Sequence, residues 1–95
     1  MSDPTLLLLA SLADGEKHGY AMMEDIERFA DVRLGPGTLY GAITRLEERG
    51  WIAPVGPRDR RQPYEITGAG REYLTQEITK MQRFSAAAEQ RLGPA

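Results

Sequence analysis

Ninety-five residues allow one domain with a modest core, small enough that a second copy would help it. The absence of cysteine removes disulfides and thiolate metal sites and suits a reducing cytoplasm, and a single histidine cannot build a zinc site. The net charge of −2 argues at first against a polyanionic partner, yet residues 34–71 hold six arginines against four carboxylates while residues 1–33 hold three basic residues against seven acidic ones.

The longest purely apolar run, Leu6 to Ala10, is too short to span a bilayer, and no charged-then-apolar leader precedes it. No membrane role is expected. Asp3-Pro4 opens a first helix, Thr5 to Leu12. Its consecutive leucines Leu6, Leu7, Leu8 and Leu9 cover every side of that helix, so a single contact cannot bury them. A chain this short has no large interior, and the expected second partner is another copy.

Asp14-Gly15-Glu16 reads as a turn. A second helix, Gly19 to Ala30, has a buried stripe of Met22, Met23, Ile26, Phe29 and Ala30. His18 stands at its cap position. The plainer reading is a bond to nearby backbone, and a phosphate contact by His18 or Tyr20 is the alternative. No nucleophile or carboxylate pairing supports catalysis by His18.

After the short connection Asp31 to Leu34 comes the stretch around which the chain is organised, Gly35 to Gly50. Leu39, Ala42, Ile43 and Leu46 fall at i, i+3, i+4 and i+7, one core-facing stripe of a helix. Pro36 suits the first turn and Gly50 the stop. The opposite face collects Gly37, Gly41, Thr44 and Glu48, with Thr38, Tyr40 and Arg45 on its flanks. Each glycine costs a helix about 1 kcal/mol relative to alanine, which suits a surface that something must approach closely better than a merely solvated one.

Beyond Gly50 the period changes to two. Trp51 to Val55 and Tyr64 to Thr67 read as strands, with Tyr64 and Ile66 on one face. Between them lie Arg58, Arg60 and Arg61. Pro63 cannot donate to a ladder and suggests an edge hairpin. Trp51 reads as a plug beneath that hairpin. Thr67 can cap a last helix from Gly68 to about Arg91. Tyr73, Leu74, Ile78, Met81, Phe84, Ala88 and Leu92 run down one broad side of it, more than the small body can cover. Packing between copies is the expected use of Leu74, Ile78, Met81, Phe84, Ala88 and Leu92, together with Leu6 to Leu9.

This order is that of a winged helix-turn-helix. HGYAMMEDIE, LGPGTLYGAITRLEERGWI and RRQPYEITGAGREYL resemble the PadR family of bacterial transcriptional regulators, in order and with matching gaps, over residues 5 to about 75. The short tail resembles the small-bodied PadR subgroup. The expected fold is mainly α with a two-stranded β-hairpin. Residues 1–67 form the winged helix-turn-helix and residues 68–95 the C-terminal dimerisation helix, in one compact unit. The resemblance implies a homodimer, joined through the C-terminal and first helices, that binds a palindromic operator in double-stranded DNA, usually as a repressor, and the expected location is cytoplasmic. It also implies that the third helix enters the major groove, the residue matching Tyr40 touches the backbone, and the wing lies along the adjacent groove.

The expected DNA-binding residues are His18, Tyr20, Gly37, Thr38, Tyr40, Gly41, Thr44, Arg45, Arg58, Arg60 and Arg61. This chain departs from many members in having Gly35 instead of a Ser or Thr cap, and Gly41 and Thr44 instead of Arg or Lys. The first makes a weaker cap, and the second weakens base readout. Four phosphate contacts per half would give log K a slope of roughly −7 against log salt.

Family members often sense flat aromatic molecules at the dimer interface. Tyr73, Met81 and Phe84 could line such a space, although methionine and aromatic stripes are usually core. No cofactor or metal is expected. A winged-helix adaptor gripping an acidic protein through its arginines is the rival reading. An enzyme is not supported, since the chain has no Ser/His/Asp set and no Gly-rich phosphate loop after a strand.

Overall fold

Four consecutive leucines determine where the first helix lies. In the computed structural model, which describes residues 4–93, α1 (Pro4–Leu12) is followed by β1 (Lys17–His18), α2 (Gly19–Ala30), α3 (Pro36–Glu48), β2 (Ile52–Pro54), β3 (Pro63–Ile66) and α4 (Gly68–Leu92). Asp3, expected at the start of the first helix, lies outside the described residues, as do the outermost ends of the two expected units.

Helix α1 touches α2, α3, α4 and β3, and so is wrapped by its own chain. Leu8, Leu9 and Leu12 are fully buried, while Leu6 and Leu7 are half-buried. This corrects the expectation for Leu8 and Leu9: they are protomer core and offer no surface to a second copy. A large interior proved unnecessary because four elements of the same chain surround one helix.

The core continues through Met22 and Ile26 of α2 and through Leu39, Ala42, Ile43 and Leu46 of α3, and Ile52 and Ile66 close it. The α3 stripe is the one its spacing predicts. The α2 stripe differs in one residue, for Phe29 is half exposed beside the helix end.

A part-buried polar network ties α1 to α2. Ser11 Oγ donates to Asp25 Oδ2 at 2.7 Å, and Lys17 bridges Asp14 at 2.7 Å and Asp25 at 4.0 Å. The hydrogen bond and charge of Lys17 hold the exposed Asp14 carboxyl below its usual range. Arg71 of α4 donates to the Ala13 carbonyl at 3.0 Å, just past the end of α1.

The sheet has three antiparallel strands among the described residues, in the order β1-β3-β2. Two expectations are corrected here. Lys17 and His18 form a strand opposite Tyr64 and Pro63, so the hairpin has a third member. Pro63 therefore begins a central strand. It is tolerated because it is the first residue, where its missing N–H takes nothing from the ladder, and its carbonyl still accepts the Val55 N–H at 3.0 Å.

Helix α3 ends in a Schellman arrangement. Gly50 N–H reaches the Glu47 carbonyl and Trp51 N–H the Leu46 carbonyl, both at 3.0 Å, with Gly50 at φ 76°. Trp51 is half-buried and stacks on Tyr73 of α4, with ring centroids 3.9 Å apart and planes 13° apart. It is a stacked joint to the last helix more than a plug beneath the hairpin. Thr67 caps α4 as expected, its Oγ1 accepting the Gly70 N–H at 3.1 Å.

Candidate nucleic-acid interface

The face of α3 turned from the core is smooth and carries few atoms of its own. Gly35, Pro36, Gly37, Thr38, Tyr40, Thr44 and Arg45 are exposed, and Gly41 is half-buried. The N-terminus of α3 has Gly35 as its cap with no side-chain bond, so the backbone donors of its first turn stay uncapped. Those donors and the helix dipole favour an anion.

Arg45 folds back along this face, its Nη1 3.6 Å from where a Gly41 Cβ would stand. That is ordinary contact, and it lays the guanidinium along the helix surface. The Thr44 hydroxyl donates to the Tyr40 carbonyl at 3.0 Å, leaving only its lone pairs to offer a partner. Thr44 is therefore an acceptor, not a donor, toward a base edge. Glu47 and Glu48 sit at the far end of α3, next to Arg45 and Arg49.

Beside the N-terminal half of α3, the start of α2 and the wing enclose a cleft of about 430 Å³. His18, Gly19, Tyr20, Tyr40, Arg60, Arg61, Gln62 and Tyr64 line it. Gly19 matters sterically: a Cβ there would stand 2.8 Å from Tyr40 Cζ and overlap its hydroxyl. Only a residue without a side chain lets the Tyr40 phenol lie across the start of α2. Burial, with smaller contributions from Glu47 and Tyr40, pushes the Tyr64 phenol up, so it remains a protonated donor at the cleft edge.

His18 has a hydrogen-bond conflict. Its Nδ1 accepts the Ala21 N–H at 3.2 Å, capping α2, and this places the neutral ring's proton on Nε2. Nε2 lies 2.9 Å from Nη1 of Arg61, which can only donate. A neutral imidazole has one acceptor nitrogen and cannot serve both neighbours. An anion between Nε2 and Arg61 would accept from both and remove the conflict.

The wing tip turns tightly. Arg58 and Arg61 exchange backbone hydrogen bonds of 2.8 and 2.9 Å across Asp59 and Arg60, both left-handed with φ of 51° and 66°. Such a turn usually takes glycine at its second position. Arginine there costs about 1–2 kcal/mol of backbone strain. The side chains differ in freedom: Arg58 is paired with Glu16 and Arg61 meets His18, while Arg60 is exposed with no side-chain partner among the described residues.

The sequence-predicted DNA-binding residues thus fall into two groups, the α3 face and the cleft-plus-wing, and Tyr40 belongs to both. Gly19, Gln62 and Tyr64 line the cleft without having been expected there. The HGY spacing before α2 was the available signal for Gly19, and the tyrosine alternating with Ile66 was the signal for Tyr64. On α4, Leu74 and Ala88 are half-buried, while Ile78, Met81, Phe84 and Leu92 are exposed, Phe84 at 74% and Leu92 at 85%. Tyr73 faces Trp51, so it does not join Met81 and Phe84 around a common space within one chain.

Two helices and a reading helix followed by a hairpin wing define the winged helix-turn-helix class. The chain belongs to the PadR-like family of transcriptional regulators, whose pattern matches residues 8–76. It is 45% identical over 84 residues to a 37.1 kDa protein of transposon TN4556 from Streptomyces fradiae, covering 88% of this chain but only 24% of that protein. It therefore spans about a quarter of that relative's length. It is 38% identical over 76 residues to the transcriptional regulator Rv3488 of Mycobacterium tuberculosis, covering 76% of this chain and 69% of that one.

Among solved structures, a PadR family transcription regulator from Clostridium difficile R20291 superposes with a TM-score of 0.83 at 21% identity, covering 94% and 97% of the two chains. A transcriptional regulator from Clostridium thermocellum gives 0.78 at 26% identity, covering 90% and 86%. Members of this family are transcriptional regulators rather than enzymes. Among the described residues no helix is long and apolar enough to cross a membrane.

Proposed function

We propose that the chain is a cytoplasmic transcription factor that binds duplex DNA as a homodimer and represses from a palindromic operator. The N-terminal half of α3 enters the major groove, and the wing and the His18–Arg61 cleft hold the adjacent backbone. The observation that carries this reading is the gathering of donors around the α3 face and the adjoining cleft: the uncapped first turn of α3, Arg45 and Arg60 without a side-chain partner among the described residues, and the opposed donors of His18 and Arg61. The acidic total charge does not oppose it, since only charges within about a Debye length count.

The partner copy is assigned to α4. Leu74, Ile78, Met81, Ala88 and Leu92 follow steps of four, three, seven and four, with Phe84 alongside, and most of these side chains are uncovered. Helix α1 also contacts α4, and its Leu6 and Leu7 are half-buried. A small aromatic effector is not part of the proposal, because Tyr73 is occupied by Trp51.

The test separates the two groups of residues. Arg60→Ala with Arg61→Ala should weaken binding to all duplexes alike, because phosphate contacts carry no sequence information. Arg45→Ala should cost about 1–3 kcal/mol at its own base pair and relax preference there, and Thr44→Ala should also alter preference. Fluorescence anisotropy against an operator and against scrambled duplex reads both. A wing variant that loses only one operator would overturn this division. Wild-type protein that ignores all duplex DNA at low salt but binds acidic peptides would favour the adaptor instead.

A further inference from the structure

The root of α4 is joined to the end of α3 through one short junction. Thr67 N–H donates to the Trp51 carbonyl at 3.0 Å, and its hydroxyl donates to the Gly50 carbonyl at 2.6 Å. Gly70, buried, lies against that same Trp51 carbonyl. One turn further along α4, Tyr73 stacks on the Trp51 indole. Arg49, the C-terminal cap of α3, holds its guanidinium carbon over the indole at 5.1 Å from the centroid. The end of the helix assigned to reading and the start of the helix assigned to pairing thus share one aromatic stack.

We infer that the Arg49–Trp51–Tyr73 stack fixes the angle between α3 and α4 and thereby sets which half-site spacing the dimer accepts. The inference rests on the homodimeric DNA-binding reading above. The lever is long. Met81, near the middle of the exposed stripe, lies 11 residues beyond Gly70, about 16 Å along the helix. A tilt of about 10° at the root moves that point by about 3 Å, and twofold symmetry doubles the effect to about 6 Å. Base pairs rise about 3.4 Å each, so this displacement approaches two of them. A joint held only by backbone bonds and one glycine would leave the ring faces free. Here they are taken up by the partner helix and by a cation. Trp51 and Tyr73 are half-buried and lie outside the fully buried core, so loosening the stack leaves that core in place.

The experiment measures affinity for inverted repeats whose centre is lengthened or shortened by two base pairs, and for an isolated half-site. Wild-type protein should prefer one spacing. Tyr73→Leu should narrow that preference by about 3- to 10-fold, the factor an aromatic pair supplies, with half-site affinity unchanged. Tyr73→Phe keeps the ring and should keep the preference. Arg49→Ala, at an exposed position, should narrow it in the same direction and serves if Tyr73→Leu does not fold. Full wild-type discrimination in both Tyr73→Leu and Arg49→Ala would overturn the inference while leaving DNA binding intact. A wild type that binds no inverted repeat would overturn the parent reading and this inference with it.

Discussion

Gly70→Ala is expected to lower stability by about 3 kcal/mol, the upper part of the range for overpacking a tight site. An added Cβ would overlap the Trp51 carbonyl oxygen and stand 2.9 Å from Ile66 Cγ1. The obstacle is backbone on one side and a core side chain on the other, so neither can swing aside. The carbonyl is held in place because it also accepts the Thr67 N–H. For a domain of this size the loss corresponds to a fall in melting temperature of about 12–24 °C. Thermal unfolding at fixed protomer concentration checks it, since a dimer's melting point moves with concentration. A change below about 0.5 kcal/mol, the scatter of neutral surface substitutions, would mean that the junction between α3 and α4 yields easily. It would also remove the rigid root on which spacing control depends.

Affinity for the operator is expected to fall about a thousandfold between 50 and 200 mM monovalent salt, the low end of the range for proteins with several phosphate contacts. The four phosphate contacts per half expected from the sequence give a steeper dependence. The structure reduces it. Arg58 is spent on Glu16, leaving Arg45, Arg60 and Arg61 as three cations per protomer on the proposed DNA-binding surface. Six charges in the dimer give a slope of log K against log salt of about −5, where four contacts per half would give roughly −7. The Arg58–Glu16 pair is exposed, so its own worth to stability is small. Its effect is on charge bookkeeping at the wing. Glu16→Gln should free Arg58 and steepen the slope toward −7. A wild-type slope near zero would contradict an interface built on phosphate contacts.

Legibility in the sequence followed the length of each pattern. Helix α3 could be read almost residue by residue, because thirteen residues carry a full 3.6-period stripe between Pro36 and Gly50. Strand β1 could not, since two residues hold no period and it forms only through pairing with Tyr64 and Pro63. That strand brings Glu16 and His18 to the wing, from 42 and 43 positions away along the chain. Without it, three wing arginines look equally free. Burial of Leu8 and Leu9 was legible, but the identity of what buries them was not. Hydrophobicity reports that a side must be covered and says nothing of which chain covers it. The contact of Gly19 with Tyr40 was hidden for a related reason, since it joins the start of one helix to the outward flank of another.

The central claim is that two copies of α3, held by paired α4 helices, present themselves to one side of a duplex. Selection of bound sequences from a random duplex pool at low salt tests this most directly, because one experiment reports binding, symmetry and spacing. An inverted repeat with half-site centres about 34–36 Å apart, one turn of B-DNA, is the result expected of such a dimer. Enrichment of a single unrepeated motif, or of no motif, would contradict it.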